Sequence, residues 1–213
     1  MASSGDVLVV GGIEINPEAR LEAALRQWID QWASKGIGAV LISSLSIGGV
    51  AVDVPVILGA LATPSPIIDV GVAQRLGSGR SASVLTREIT TLDHLFEGRT
   101  AFAVLGSTPE HRHEAEAVVV GLLGADGEVT AGGAIEHVTG APNRPGPRTK
   151  GGPTFFVIDE EAPSCRRHQP GSSPSVDLID VIVVPPGKID VIPPRSGEST
   201  RLLLATEPYG PIS

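Results

Sequence analysis

The stretch from Pro66 to Ser107, PIIDVGVAQRLGSGRSASVLTREITTLDHLFEGRTAFAVLGS, constrains the fold more than any other part of the chain. Pro66 to Ala73 is apolar and β-branched apart from Asp69 and Gly71, the pattern of a strand covered on both faces. Gly77-Ser78-Gly79 interrupts it, and Ser81 or Ser83 is placed to cap a following helix. Val84, Leu85, Ile89, Leu92, Leu95 and Phe96 then return at helical spacing, with Gly98 where a helix-ending glycine belongs. Thr100 to Leu105 is apolar again and stops at Gly106-Ser107. Strand, glycine-rich loop, helix and strand make one βαβ unit.

The flanking segments continue the alternation. Asp6 to Val10 predicts a short strand ending at Gly11-Gly12. Asn16-Pro17 predicts a helix start, with Leu21, Leu25, Trp28, Ile29 and Trp32 on its apolar face and Lys35-Gly36 at its end. Ile37 to Ile42 is a second strand with Ser43-Ser44 at its carboxyl end, and a helix begins near Asp53 and Pro55. Pro109 to Gly124 predicts a helix with Ala117, Val118, Leu122 and Leu123 on its apolar side. Pro153 to Ile158 is a fifth strand. Beyond it, Ala162 to Ser175 reads as loop, and Val176 to Val184, Ile189 to Ile192 and Arg201 to Ala205 as strands without helices between them. Such a tail suits a hairpin or β-arm. The alternation before it predicts a parallel sheet with right-handed crossovers.

Bulk properties narrow the function. The net charge of −8 argues against a nucleic-acid partner, which needs clustered Lys and Arg. The single Cys165 excludes an intramolecular disulfide and fits a reducing cytoplasm, and the amino end shows no signal-peptide pattern. The uncharged run 36–52 is too rich in Gly and Ser, and too close to Asp53, for a membrane span. A complete (β/α) barrel takes roughly 250 residues, and the chain has 213.

The ordered run Val84-Leu85-Thr86-Arg87-Glu88, Thr91-Leu92-Asp93-His94-Leu95, Gly98-Arg99 and an apolar segment leading to Gly106 resembles the luciferase-like oxidoreductases. There the same order fills the third strand-helix unit and the fourth strand of a TIM-type barrel. The stretch from Pro109 to the Pro- and Gly-rich run 140–147 and the strand at Pro153 is similar to the family's helix, hairpin and Pro-rich connection. The resemblance covers roughly residues 5–160. It implies an α/β fold: a truncated or incomplete TIM-type (β/α) barrel of parallel strands over residues 1–160, with a β-rich segment 161–213 in the same domain. It also implies FMN or coenzyme F420 as cofactor, a small organic substrate, and a homodimer or higher homo-oligomer packed through the second and third helices.

Sites in such folds form at the carboxyl ends of the strands. The candidate cofactor-binding residues there are Ser43, Ser44, Ala73, Gln74, Arg75, Ser78, Gly79, Arg80, Gly106 and Ser107. Ser43, Ser44 and the Ala73-Gln74 backbone are expected to contact a flat ring, and Arg75, Ser78 and Arg80 an anion near a helix amino terminus. Family members often carry histidine-containing polar groups near the end of the second strand, where this chain has Ser43, Ser44 and Leu45. Serine alone is no general base near neutral pH, so no catalytic residue is assigned. Asp93, Glu88 and Arg99 read as structural ion-pair or capping residues, and His94 as a packing or interface residue. His111 and His113, two apart on a helix, do not converge on a metal. No Gly-x-Ser-x-Gly elbow or carboxylate pair supports a hydrolase. Two readings stand: a luciferase-like oxidoreductase using reduced FMN or F420, and a shortened non-catalytic relative that binds a flavin-like ligand or acts as an oligomer.

Overall fold

The structure is a computed structural model that describes residues 7–35, 37–61, 68–76, 80–105, 108–159, 164–168, 177–184, 201–205 and 209–212. From residue 164 onward it describes the backbone, and the side chain of His168 alone.

Twelve strands and four helices follow one another in the order β1 (Val7–Ile15), α1 (Leu21–Ser34), β2 (Ala39–Ile47), β3 (Val50–Val52), α2 (Val54–Ala60), β4 (Asp69–Arg75), α3 (Ala82–Leu95), β5 (Ala101–Leu105), α4 (Pro109–Gly124), β6 (Glu128–Gly132), β7 (His137–Pro142), β8 (Thr154–Asp159), β9 (Ser164–His168), β10 (Asp177–Val184), β11 (Arg201–Ala205) and β12 (Tyr209–Ile212) among the described residues. β1, β2, β4, β5 and β8 are consecutive parallel neighbours. β9 runs antiparallel to both β8 and β10, and β11 lies parallel to β10 and to β1. The pairing of β1 with both β2 and β11 closes a ring of eight strands, of which β9 alone is reversed. The front of the ring is helix-clad, and no helix is present among the described residues after β8. Among the described residues the barrel is incomplete in its helices, and the β-rich tail supplies the strands that close it.

Two apolar layers follow from side-chain alternation along the strands. Val10, Leu41, Ala73, Ala101, Ala103, Leu105, Phe156 and Ile158 fill the lumen. The opposite strand faces carry Val9, Ile13, Val40, Ile42, Val72, Phe102 and Phe155, which pack under the helices. Gly71 belongs to the lumen face, where a Cβ would stand 1.6 Å from the Ala101 carbonyl oxygen. The βαβ unit read from Pro66 to Ser107 needs a glycine there because two strand backbones approach so closely. Trp28 and Trp32 on α1 are buried, with ring centroids 6.2 Å apart in an edge-to-face contact.

Several boundaries differ from the sequence reading. β1 runs through Gly11-Gly12 to Ile15, because the glycines pair with β2 and the alternation resumes at Ile13. Asn16-Pro17 makes a turn in which the Asn16 side chain accepts from the Glu18 N–H at 3.0 Å, and α1 starts only at Leu21. β2 continues past Ser43-Ser44 and turns at Gly48-Gly49, both with positive φ, into β3. Residues 164–168 form a strand where a loop was expected, since the ladders of β8 and β10 satisfy their backbone. Val84 and Leu95 of α3, expected in the core, are 43% and 42% exposed. Ala117 of α4 is half-buried, while Ala115 and Val119 join the core. The proposed strand at 189–192 lies outside the described residues.

Candidate active-site mouth

The carboxyl ends of β1, β2 and β4 bring small and polar side chains to one rim of the lumen. Ile13 and Ile15 pack in the outer core, which turns Gly12 and Glu14 to the lumen side. β1 and β2 keep register from Leu8–Ala39 to Gly11–Ile42; then Gly12 pairs with Ser44, leaving Ser43 as the extra residue of a β-bulge. Ile42 and Leu45 both pack outward. Ser43 and Ser44 lie between them and face the lumen, the first half-buried and the second exposed. Beyond them Ser46 is the register partner of Glu14.

On β4, Ala73 is fully buried in the lumen. Gln74 is the register partner of Val104, an outer-core residue, so its side chain leaves the mouth and its backbone remains there. Arg75 pairs in register with Leu105 of the lumen and is exposed. The tertiary structure thus gathers Ser43, Ser44, Ala73, the Gln74 backbone and Arg75, residues that the sequence reading had spread over two strand ends.

Arg80 stands apart from this group. Its Nη2 donates to Asp53, the capping residue at the amino end of α2, and its Nε lies 3.0 Å from Glu88 of α3. The hydrogen bond to Asp53 is the largest influence raising the Arg80 pKa. Burial is the largest influence on Glu88 and pushes its carboxyl up, against the opposing pull of Arg80. The cluster ties the start of α3, where Ser81 accepts from the Val84 N–H, to the start of α2. Ser78, Gly79, Gly106 and Ser107 lie outside the described residues.

Glu14 and Ser46 are rim residues that the sequence reading does not reach, because it ends the first strand at Gly11-Gly12 and the second at Ile42. The signal was present: Ile13-Glu14-Ile15 and Ser44-Leu45-Ser46-Ile47 both alternate with a period of two.

The residues of the family-like motif hold the scaffold. Asp93 is fully buried and accepts from both the backbone N–H and the hydroxyl of Thr149, each at 2.8 Å. His94 Nε2 lies 2.8 Å from the Gly146 carbonyl, and Arg99 pairs with Asp69 at 3.4 Å. Above α3 and α4 the β6–β7 hairpin is strapped down by carboxylates. Glu136 accepts from the Ala82 N–H and lies 3.1 Å from His111 Nε2. Glu114 accepts from the N–H groups of Ala134, Ile135 and Glu136. Those bonds hold its carboxyl below the ordinary range, the one from Glu136 contributing most. Among the described residues there is no group of three or more His, Cys, Asp or Glu that could hold a metal ion, and no helix long and apolar enough to cross a membrane.

No protein-family model and no curated protein matches the sequence. Among solved structures the chain is similar to an F420-dependent secondary alcohol dehydrogenase in complex with an F420-acetone adduct, with 17% identity and a TM-score of 0.49 over 72% of this chain and 52% of that one. It is also similar to a type II Baeyer-Villiger monooxygenase, the oxygenating constituent of 3,6-diketocamphane monooxygenase from the CAM plasmid of Pseudomonas putida in complex with FMN. Identity there is 14% and the TM-score 0.45, over 70% of this chain and 51% of that one. The chain spans about half the length of both structures. The barrel itself is established by its own strand register.

Proposed function

We propose that the mouth formed by β1, β2 and β4 binds a flat redox cofactor, FMN or coenzyme F420, and that the protein is an oxidoreductase acting there on a small organic substrate. The observation that carries this reading is the bulge at Ser43, which sets two hydroxyls toward the lumen beside the small Ala73 with Arg75 at the rim. Small residues admit a planar ring against the backbone, and a guanidinium matches an anionic substituent. The cofactor, when bound, supplies the hydride chemistry. The chain's own residues bind the ring through Ser43, Ser44 and the Ala73-Gln74 backbone and take its charge with Arg75, while the packed lumen below excludes water. Arg80 supports the site by fixing the starts of α2 and α3, and Ser78, Gly79, Gly106 and Ser107 remain proposed cofactor contacts. In this reading the segment 161–213 belongs to the same domain, and the pairing of β11 with β1 supports that. Exposed Val56 and Val84 on α2 and α3 support a homodimer, and the single cysteine fits a cytoplasmic setting.

A second reading, a non-catalytic ligand-binding relative, is favoured by the gathered residues other than Glu14, none of which is a general base near neutral pH. The absorbance spectrum of the purified protein, with and without added FMN or F420, separates the two. Retained colour with turnover of the reduced cofactor supports the enzyme. Retained colour without turnover supports the binder, and uptake of neither cofactor rejects both.

A further inference from the structure

Val10, Leu41 and Gly71 form one register-aligned row across β1, β2 and β4. Glu14 stands four residues beyond that row on β1, and Arg75 four residues beyond it on β4. β1 and β4 flank β2, so the two side chains leave the rim two strand spacings apart, about 10 Å. One rim therefore carries a carboxylate at one end, a guanidinium at the other, and the hydroxyls of Ser43, Ser44 and Ser46 between them. Glu14 is half-buried, and among the described residues its carboxylate has no hydrogen bond or ion pair. Its oxygens are not among the buried polar atoms that lack a partner, so the carboxylate stays open to the mouth, where a ligand N–H or O–H can take the place of water.

We infer that Glu14 orients the cofactor, accepting a hydrogen bond from a ring N–H or a side-chain hydroxyl of the flat ligand while Arg75 takes its phosphate. The inference rests on the cofactor reading above and adds a direction to it. A phosphate beside Glu14 would place two anions together, so the anionic end lies on the β4 side of the mouth and the hydrogen-bond-donating part on the β1 side. Ser46, in register with Glu14, adds a hydroxyl at the same end. The arrangement makes separable demands on charge and on hydrogen bonding.

Fluorescence titration of two ligand pairs tests it: FMN against riboflavin, and F420 against its phosphate-free deazaflavin core. Glu14→Ala is expected to weaken both members of a pair, by about tenfold for the phosphate-free one, the scale of one hydrogen bond to a charged group, and by less for the phosphate-bearing one, since the carboxylate's charge is lost with its hydrogen bond. Arg75→Ala is expected to weaken the phosphate-bearing member alone, by a similar factor. Glu14→Gln keeps the shape and a carbonyl acceptor but removes the negative charge, so it should favour the phosphate-bearing member over the phosphate-free one. That change in ratio is a readout that a merely structural role does not move, and it remains available if the alanine variant fails to fold. Wild-type affinity for all four ligands in Glu14→Ala overturns the inference, as does an unchanged ratio in Glu14→Gln. If the wild-type protein binds none of the four, the cofactor reading fails and takes the inference with it; if it binds and the Glu14 variants match it, only the inference fails.

Discussion

His168 Nε2 lies 2.6 Å from Glu116 Oε1, joining the reversed strand β9 to helix α4. The same imidazole stacks on Phe155 at 5.3 Å, which stacks in turn on Phe102 at 4.7 Å. One turn earlier on α4, the buried Arg112 reaches Asp159 at 2.5 Å. An imidazole–carboxylate contact and an Arg–Asp ion pair therefore fasten the helical front of the ring to the strand where its direction reverses.

Removing one member of this junction leaves the other buried without its partner. His168→Leu and Glu116→Leu are each expected to lower stability by about 3 kcal/mol, whereas the double variant should lose clearly less than the sum. Equilibrium denaturation of the three variants measures the coupling. Strict additivity would show that the contact contributes nothing to holding β9.

Two carboxylates give the stability profile opposite slopes. Glu88 is raised by burial above its ordinary value. Its contribution is greatest below the unfolded-state value and is lost as pH rises through the raised folded-state value. Glu114 is lowered by three backbone N–H groups; its contribution is present above the unfolded-state value and is lost as pH falls through the lowered one. Denaturation midpoints from about pH 3 to about pH 8 should show a smaller loss on the acid side in Glu114→Gln and a smaller loss on the rising side in Glu88→Gln. Profiles parallel to wild type in both variants would refute these assignments.

Gly71→Ala drives a methyl group into the Ala101 carbonyl, at 1.6 Å in the unrelaxed geometry. Separating β4 from β5 to admit it should lower stability by at least about 3 kcal/mol, at the upper end of overpacking effects. A melting temperature within a few degrees of wild type would mean that the two strands are not packed so closely.

The end of α3 offers a stabilising change. The Gly98 N–H bonds the Asp93 carbonyl at 2.7 Å, closing a Schellman-type turn. Two successive residues of that turn have positive φ, Glu97 at 56° and Gly98 at 81°; the sequence marks Gly98 as the helix-ending glycine, and Glu97 is the non-glycine residue held left-handed beside it. Glu97→Gly should raise stability by about 0.5 kcal/mol, relief of the left-handed strain outweighing the added unfolded-state entropy. Asp93→Ala, by contrast, orphans the two Thr149 donors and should cost about 2 kcal/mol. Thermal melts of the two variants should move in opposite directions.

The amino-acid sequence alone marked the four helices and the strands β1, β2, β4, β5 and β8 over the first three quarters of the chain, while β3 escaped it and the β6–β7 hairpin followed only from the family resemblance. Hydrophobic period and caps are local properties: Ser81 caps α3, Trp28 and Trp32 are core, and Pro109–Gly124 is one helix. The sequence also marked Ser43, Ser44, Ala73 and Arg75 as rim residues, because strand ends are read from the same period. Only the tertiary structure decided that β1 passes through Gly11-Gly12, that residues 164–168 are a strand, and that β11 returns to β1. Those outcomes depend on backbone pairing between segments distant in the chain, and SCRRH has no alternation of its own to announce it. For the same reason Glu14 became visible as a rim residue only when its register with Ser46 was known, since the face of a strand residue is fixed by what the neighbouring strands bury.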